Sequence, residues 1–556
     1  MLSHLTTYEL HAPSDLPVPQ LTDDSRAVCP GALFAALHGA REDGACYLTD
    51  ARQRGAACVL CDTPPEGDIP YILVPDTRLA LAHLADAWYG QPSGKMTVIG
   101  VTGTNGKTTT TYLLKQLLER TLGAKVGLIG TNQNMIGEEV LPTERTTPGT
   151  LALQELLSRM AAAGCTHVVM EVSSHALAQR RTDAVDFAVG IFTNLTQDHL
   201  DYHGTMERYC AAKARLFAQC RVAVVNGDSS WAERVLAAAS CPRLTYGQGL
   251  LNDIVGWHPR YENDRVCFSV SDEEEQIETF VPIPGEFSLY NALGALAALR
   301  ALGLPLKETA RALPGCRGVR GRCEVVPTGT DYTVLIDYAH TPDGLRNILE
   351  TVSGFAEGRV IAVFGCGGDR DKTKRPRMGG IAAARADLLV LTSDNPRSES
   401  PYAILHDVLE GMRESRTPFA VLEDRREAIA YAMDHAAPGD VVVLAGKGHE
   451  TSQIIGDKAY ALDEREDVYE CLKRRRNQHD QDDYSLPVQL CDSRCGGSIP
   501  DSVAAQAQGR TGDPRGRPHL AQCQGGYADH GRIDVHFRYL CFDSHSWVAG
   551  NAERGL

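Results

Sequence analysis

Met96-Thr97-Val98-Ile99-Gly100-Val101-Thr102-Gly103-Thr104-Asn105-Gly106-Lys107-Thr108-Thr109 passes from an apolar run through a glycine turn into a helical pattern. MTVIGVT reads as a buried strand, GTNGK as the turn and Thr108–Arg120 as a helix. Glycines let the backbone curl until its N–H groups face phosphate oxygens, and the helix N-terminus adds a favourable dipole. In such a loop Lys107 reaches the β- and γ-phosphates and Thr108 ligates Mg2+. The spacing departs from the usual pattern: Gly100 lies one residue too early, and Val101 holds the first-glycine position. The competing reading is a plain glycine-rich turn. The strand before, the helix after and the GKT ending favour a nucleotide site.

Outward from this loop the same alternation continues. Apolar runs at His167–Val172, Ala188–Thr193 and Arg221–Asn226 are separated by helical patterns at Leu151–Ala163 and Met206–Gln219. Strands alternating with helices give an α/β fold with a mostly parallel, doubly wound sheet. A second series starts near Asp331 with YTVLIDY, RVIAVFG, ADLLVLTS, PFAVLED and DVVVLAG, enough for a separate Rossmann-like domain. LPGCRGVRGRCEV between the series reads as a linker. Upstream, Ala56–Leu60 and Tyr71–Val74 with a helix at Leu79–Tyr89 read as a small α/β unit ending at Gln91-Pro92-Ser93-Gly94. The expected domains are 1–93, 94–325 and 326–476. Residues 477–556 contain no Lys and no sustained periodicity, and read as an irregular tail. Cys491, Cys495, His519 and Cys523 in it are loosely zinc-like, but their Gly/Ser/Gln-rich setting favours chance.

Composition bounds the rest. The 556 residues correspond to about 3.7 domains by length alone. A net charge of −16, from 55 basic against 71 acidic residues, argues against nucleic acid as a partner. The 17 Cys are dispersed and odd in number, which suits reduced thiols in the cytosol. MLSHLTTYELHAPSDLP has neither a basic nor an apolar leader region, and no apolar run reaches the roughly 18 residues of a membrane span. The expectation is a soluble, cytoplasmic protein.

Two further positions suit a cation: Glu171, ending the strand THVVMEVSS on the ligand side of such a sheet, and His199 in TNLTQDHLDYHGT. Either could equally be a surface group.

TGTNGKTTT, TTPGTLALQ, MEVSSHALAQRR, FTNLTQDHLDYHGTMERYCAAKARLF, NALGALAAL, GVRGRCEVV, IDYAHTPDGL, FGCGGDRDKTKRPRMG, DNPRSE and GKGHE occur in this order. Over about residues 20–470 the chain thereby resembles the Mur ligases. The resemblance implies a three-domain architecture: UDP-sugar domain, central ATP domain and amino-acid domain. It implies that ATP phosphorylates a carboxylate of UDP-MurNAc-L-Ala-D-Glu and that an amine then attacks the acyl phosphate. It assigns ATP contacts to Gly103, Thr104, Asn105, Gly106, Lys107, Thr108, Thr109, Asn291, Arg322 and Asp337. It assigns the UDP-sugar dipeptide to Ser25, Arg26, Thr146, Thr147, Ser173, Gln179 and Arg181. Mg2+ falls to Thr108, Glu171, His199 and Lys213, with Lys213 carrying a CO2-derived carbamate (N6-carboxylysine). Lys107, Lys213 and His199 are the implied catalytic set.

The incoming amino acid falls to Arg375, Asp394, Asn395, Pro396, Arg397, Gly446 and Glu450. A guanidinium at Arg397 can hold a second carboxylate bidentately, which meso-diaminopimelate has and L-lysine lacks. The expectation is diaminopimelate addition by a monomeric ligase. L-lysine addition, a folylpolyglutamate-synthetase-like ligase and a UDP-sugar sensor that has lost turnover stay open at this point.

Overall fold

The computed structural model describes residues 2–483 except 14 and 39–42; of residues 201 and 476–483 it describes the backbone alone. Three sheets follow one another along the chain. The first has five strands in the order Glu9–His11, Tyr71–Leu73, Cys58–Cys61, Leu33–Ala35 and Leu21–Thr22, parallel except for the first pair.

The second has eleven strands. Its parallel centre runs Ile254–Tyr261, Arg243–Gly247, Cys220–Asn226, Phe187–Phe192, Thr97–Thr102, His167–Glu171 and Val126–Ile129, with antiparallel strands added at both edges. Central strands such as Thr97–Thr102 are apolar on both faces because helices cover both. Helix Lys107–Leu122 packs on one side together with Glu286–Ala301, whose NALGALAAL stretch is apolar all round and therefore buried. Thr150–Ala162 and Met206–Ala214 cover the other side.

The third sheet orders Glu324–Val326, Thr333–Asp337, Val441–Ala445, Val360–Phe364, Leu388–Leu391 and Phe419–Val421, parallel except for the first pair. A hairpin, Ser452–Ile455 with Lys458–Ala461, stands apart from it.

Gly100 lies in the strand, as read, and a Cβ there would lie 2.7 Å from the Phe187 ring on the neighbouring strand. The unusual glycine spacing is thus strand packing followed by a loop that begins at Gly103. Three details differ from the sequence reading. The stretch LPGCRGVRGRCEV is not a free linker. Leu313, Cys316, Val319 and Cys323 are buried, and Glu324 already starts the third sheet, ahead of position 326. The helix expected over Met206–Gln219 tightens after Ala214 into a 3-10 turn, Arg215–Ala218.

Lastly, a helix covers Glu464–Asp483, past residue 477. Its residues are mostly good helix formers without an apolar stripe, so no periodicity announced it. The zinc-like Cys491, Cys495, His519 and Cys523 lie outside the described residues. Every described cysteine is a free thiol, and no described helix is long and apolar enough to cross a membrane.

Candidate active site

The loop between strand Thr97–Thr102 and helix Lys107–Leu122 closes on itself. Gly103 (φ 150°) and Gly106 (φ 83°) take conformations that L side chains rarely adopt. Lys107 Nζ donates to the carbonyls of Gly103 (2.9 Å) and Thr104 (2.8 Å). Lys213 Nζ donates to the same Gly103 carbonyl at 2.7 Å from the end of helix Met206–Ala214. Lys213 is not a surface lysine: it is 1% exposed and lies 4.6 Å from the Tyr209 ring centre. Burial, and next the Lys107 ammonium, hold its pKa well below the ordinary lysine range. Burial likewise lowers Lys107, with Glu171 opposing.

The loop is tied to the next strand end: Asn105 N–H donates to Asn194 Oδ1 (2.9 Å), and Thr193 Oγ1 donates to the Asn105 carbonyl (2.6 Å). From the far side Asn291 Oδ1 accepts from Thr110 Oγ1 (3.3 Å), while its Nδ2 is buried with no partner. Asn291 lies inside helix Glu286–Ala301 rather than capping it.

Glu171 ends its strand 1% exposed and accepts from Thr131 N–H and Thr131 Oγ1, both at 2.9 Å. His199 begins helix Leu200–His203 in a left-handed conformation (φ 51°), edge-on to His175 at 4.9 Å. Among the described residues no three His, Cys, Asp or Glu side chains form a ready-made cation cage. The donors present are the Thr108 hydroxyl, Glu171 and His199. A carbamate on Lys213 would add the anionic oxygens this set lacks and remove the repulsion between two buried ammonium groups, so the residues fit a divalent cation on that condition.

Beside Glu171 the sugar-dipeptide candidates converge. Thr147 Oγ1 donates to the Glu171 carbonyl (2.8 Å) and accepts from Ser173 N–H (3.0 Å). Ser173 caps helix Ser174–Ala178. Arg181 Nη1 donates to the Thr147 carbonyl (2.9 Å), and its Nη2 donates to Gln179 Oε1 (2.6 Å). Thr131 Oγ1 reaches Thr146 Oγ1 at 3.1 Å. Burial, then Arg145 and Arg78, lower the Arg181 pKa. These neighbouring cations, which the motif reading missed, mark a place for an anion.

Ser25 and Arg26 sit apart from this cluster. They line a cavity of about 1280 Å3 between the first and second sheets, faced by Arg145 and Arg159. Arg26 is held by Asp24 at 2.9 Å.

At the ligand end of the third sheet, Asp394, Asn395 and Pro396 are buried, and Arg397 is half-buried with φ 51°. Arg397 Nη1 donates to the Gly368 carbonyl (2.8 Å). The hairpin clasps the loop through Arg397 N–H to the Ile454 carbonyl (3.1 Å) and Gly456 N–H to the Arg397 carbonyl (2.8 Å). Asn395 Nδ2 donates to Glu450 Oε2 at 2.9 Å. Gly446 (φ 118°) leaves room where a Cβ would come within 3.1 Å of Asp394 Oδ2.

Arg375 differs from the expectation of direct contact with the amino acid. Its side chain is 0% exposed, and its Nη atoms donate to Glu399 (2.8 and 3.1 Å) and Asp407 (2.9 Å). A guanidinium bound to two internal carboxylates props the loop, while its Nε is buried without a partner.

Between the two centres Arg322 lies 5.1 Å over the Tyr338 ring, with Nε buried and unpartnered. Asp337 accepts from Cys323 N–H (2.7 Å). Burial raises the Asp337 pKa, with Arg322 opposing.

Known proteins share this plan. Residues 18–89 match the Mur ligase family catalytic domain, 101–299 the Mur ligase middle domain and 321–448 the Mur ligase glutamate ligase domain. The UDP-N-acetylmuramoyl-L-alanyl-D-glutamate–2,6-diaminopimelate ligase of Caldanaerobacter subterraneus subsp. tengcongensis is 46% identical over 468 residues, 84% of this chain and 97% of that one. The ligase of the same name from Geobacillus thermodenitrificans is 43% identical over 485 residues, 86% and 99% of the two chains. A solved structure of a ligase so named is 33% identical with TM-score 0.64, covering 83% of this chain and 96% of its own. The MurF ligase of Thermotoga maritima shares the fold at TM-score 0.53 and 20% identity, over 84% and 100% of the chains. With three domain models matched in order and relatives covered almost end to end, this chain belongs to the Mur ligase family of ATP-dependent ligases.

Proposed function

We propose that the chain joins meso-2,6-diaminopimelate to UDP-MurNAc-L-Ala-D-Glu, with ATP as co-substrate, in the cytoplasmic synthesis of peptidoglycan precursors. The relatives of that name support it. The observation that carries the choice of amino acid is the loop Asp394–Arg397, where the Arg397 guanidinium is held on one side by the Gly368 carbonyl and Asn395 holds the Glu450 carboxylate. That pair suits a ligand end bearing both a carboxylate and an ammonium.

In the first step the γ-phosphoryl group moves to the D-glutamyl carboxylate and ADP leaves. A carboxylate has no good leaving group, and phosphorylation supplies one. Lys107, the Gly103–Gly106 amides and the helix N-terminus stabilise the charge that develops. Asn291, Arg322 and Asp337 hold the nucleotide. Thr108, Glu171, His199 and carbamylated Lys213 would hold Mg2+, which would supply positive charge to offset the charge developing on the phosphates. Thr146, Thr147, Ser173, Gln179 and Arg181 orient the carboxylate, and Ser25 and Arg26 hold the nucleotide-sugar from the first domain.

In the second step the neutral amine attacks the acyl carbon. The amide forms, phosphate leaves, and the amine's proton passes to solvent or phosphate. Three domains, the second starting at about residue 94 and the third by Glu324, then divide the work, with the third domain delivering the amine to a monomer's central site.

The test is phosphate release by the purified chain with ATP and UDP-MurNAc-L-Ala-D-Glu, comparing meso-diaminopimelate with L-lysine. Preference for diaminopimelate is expected; preference for lysine would sink the assignment.

A further inference from the structure

Lys447, in the GKGHE motif, was no part of the sequence-derived site. It is 0% exposed just beyond strand Val441–Ala445. An ammonium has three donors, and all three turn to the amino-acid loop. Nζ lies 3.1 Å from Asn395 Oδ1, 3.1 Å from Glu450 Oε2 and 3.5 Å from Asp394 Oδ1. Asn395 Oδ1 also accepts from Ile454 N–H (2.9 Å), so the amide cannot flip without losing both donors. Its Nδ2 is thereby aimed at Glu450 Oε2. With Oε2 taking two donors, Oε1 accepts none among the described residues and is the oxygen left for a ligand.

The charges add to a definite sum. Asp394 and Glu450 contribute two negative charges, and Lys447 and Arg397 two positive ones. Behind them Arg425 and Glu464 form a wholly buried pair, 2.7 Å apart, that adds nothing net. These four groups sum to zero, as does the far end of diaminopimelate with its carboxylate and ammonium; Arg322, Arg370, Lys374 and Asp369 lie around them and are the same in every variant. Removing Lys447 shifts the sum by one negative charge, a change that favours a bare ammonium such as that of L-lysine.

Resting on the reading that this loop receives the amino acid, we infer that Lys447 is a positioning residue that sets amino-acid selectivity. It fixes the Asn395 amide and neutralises one carboxylate, so that a zwitterionic end is preferred over a cationic one.

The experiment compares wild type, Lys447→Met and Lys447→Arg as full chains, by ADP release at saturating ATP and UDP-MurNAc-L-Ala-D-Glu. The readout is the ratio of kcat/KM for meso-diaminopimelate to that for L-lysine. Lys447→Met is expected to lower the ratio about tenfold or more, through KM for the amino acid and with KM for ATP unchanged, while Lys447→Arg stays within about threefold of wild type.

Asn395→Asp provides the second arm if the methionine variant fails to fold. It adds one negative charge with Lys447 in place and is expected to move the ratio the same way. An equal fall for both amino acids, or an unchanged ratio in a folded variant, overturns the role of Lys447. A wild type that prefers lysine overturns instead the assignment of the amino acid.

Discussion

Gly103 offers one carbonyl to two ammonium groups, and this crowding makes Lys213 the most informative single residue. A carbamate needs a primary amine, so a guanidinium cannot replace it even though it keeps the charge. Lys213→Arg and Lys213→Met are both expected to lower kcat by roughly a hundredfold or more, measured as ADP release. An arginine variant with near-normal turnover would refute the carbamate.

Gly106 makes a second point. Its φ of 83° and a Cβ position 2.3 Å from Asn291 Oδ1 leave no space for a side chain. Gly106→Ala should cost about 1–2 kcal/mol of stability and raise KM for ATP, checked by thermal unfolding with and without nucleotide.

The phosphate loop, Glu171 and the Asp394–Arg397 loop were legible because each sits where an apolar strand ends. Lys447, Arg145 and Thr131 were not, since their importance lies in partners distant in sequence: Lys447 meets Asn395 across 52 positions and Thr131 meets Glu171 across 40. The reason for a glycine at position 100 was hidden in the same way, its neighbour Phe187 lying on another strand.

Elements are joined to the site by ion pairs that titrate. Glu399 follows the Asp394–Arg397 loop and pairs with Arg375 of helix Lys374–Ala383. The Arg375 hydrogen bonds, then the Asp369 N–H and Lys372, bring the Glu399 pKa down to about 2. A depressed carboxylate stabilises the fold above its ordinary value of 4.5, and that contribution is lost as pH falls from 4.5 towards 2. Acid unfolding should therefore steepen below pH 4.5 for the wild type, and Glu399→Gln should flatten it, read by circular dichroism across that interval.

At this scale the strands were readable because parallel strands covered by helices are unbroken apolar runs. The hairpin Ser452–Ile455 with Lys458–Ala461 was not, because its residues are exposed or half-buried and show no apolar alternation. Strand Glu324–Val326 escaped notice because glycines and arginines precede it.

Across the whole molecule, the first and second sheets meet at Arg180. Its Nε lies 2.7 Å from Asp76, which caps helix Thr77–Trp88, and its Nη1 lies 2.8 Å from Asp183. Its neighbour Arg181 belongs to the proposed sugar-dipeptide cluster, so this joint also fixes the cleft. Arg180→Ala is expected to raise KM for UDP-MurNAc-L-Ala-D-Glu about five- to tenfold while leaving KM for ATP unchanged, since partly exposed pairs add little stability but set register. Initial-rate kinetics in each substrate would decide.

The two proposed recognition sets are segregated by sheet. Thr147, Ser173 and Arg181 lie on the second, Asp394, Asn395, Arg397, Lys447 and Glu450 wholly on the third, and the chain passes between them through Gly321 (φ 71°) and Cys323 (φ 45°). Recombination at Gly321 would therefore transplant the choice of amino acid as a cassette and leave the sugar-nucleotide machinery behind. The amino acid joined to a cell-wall precursor could in this way change in one exchange of gene segments, without a long path through intermediate pockets.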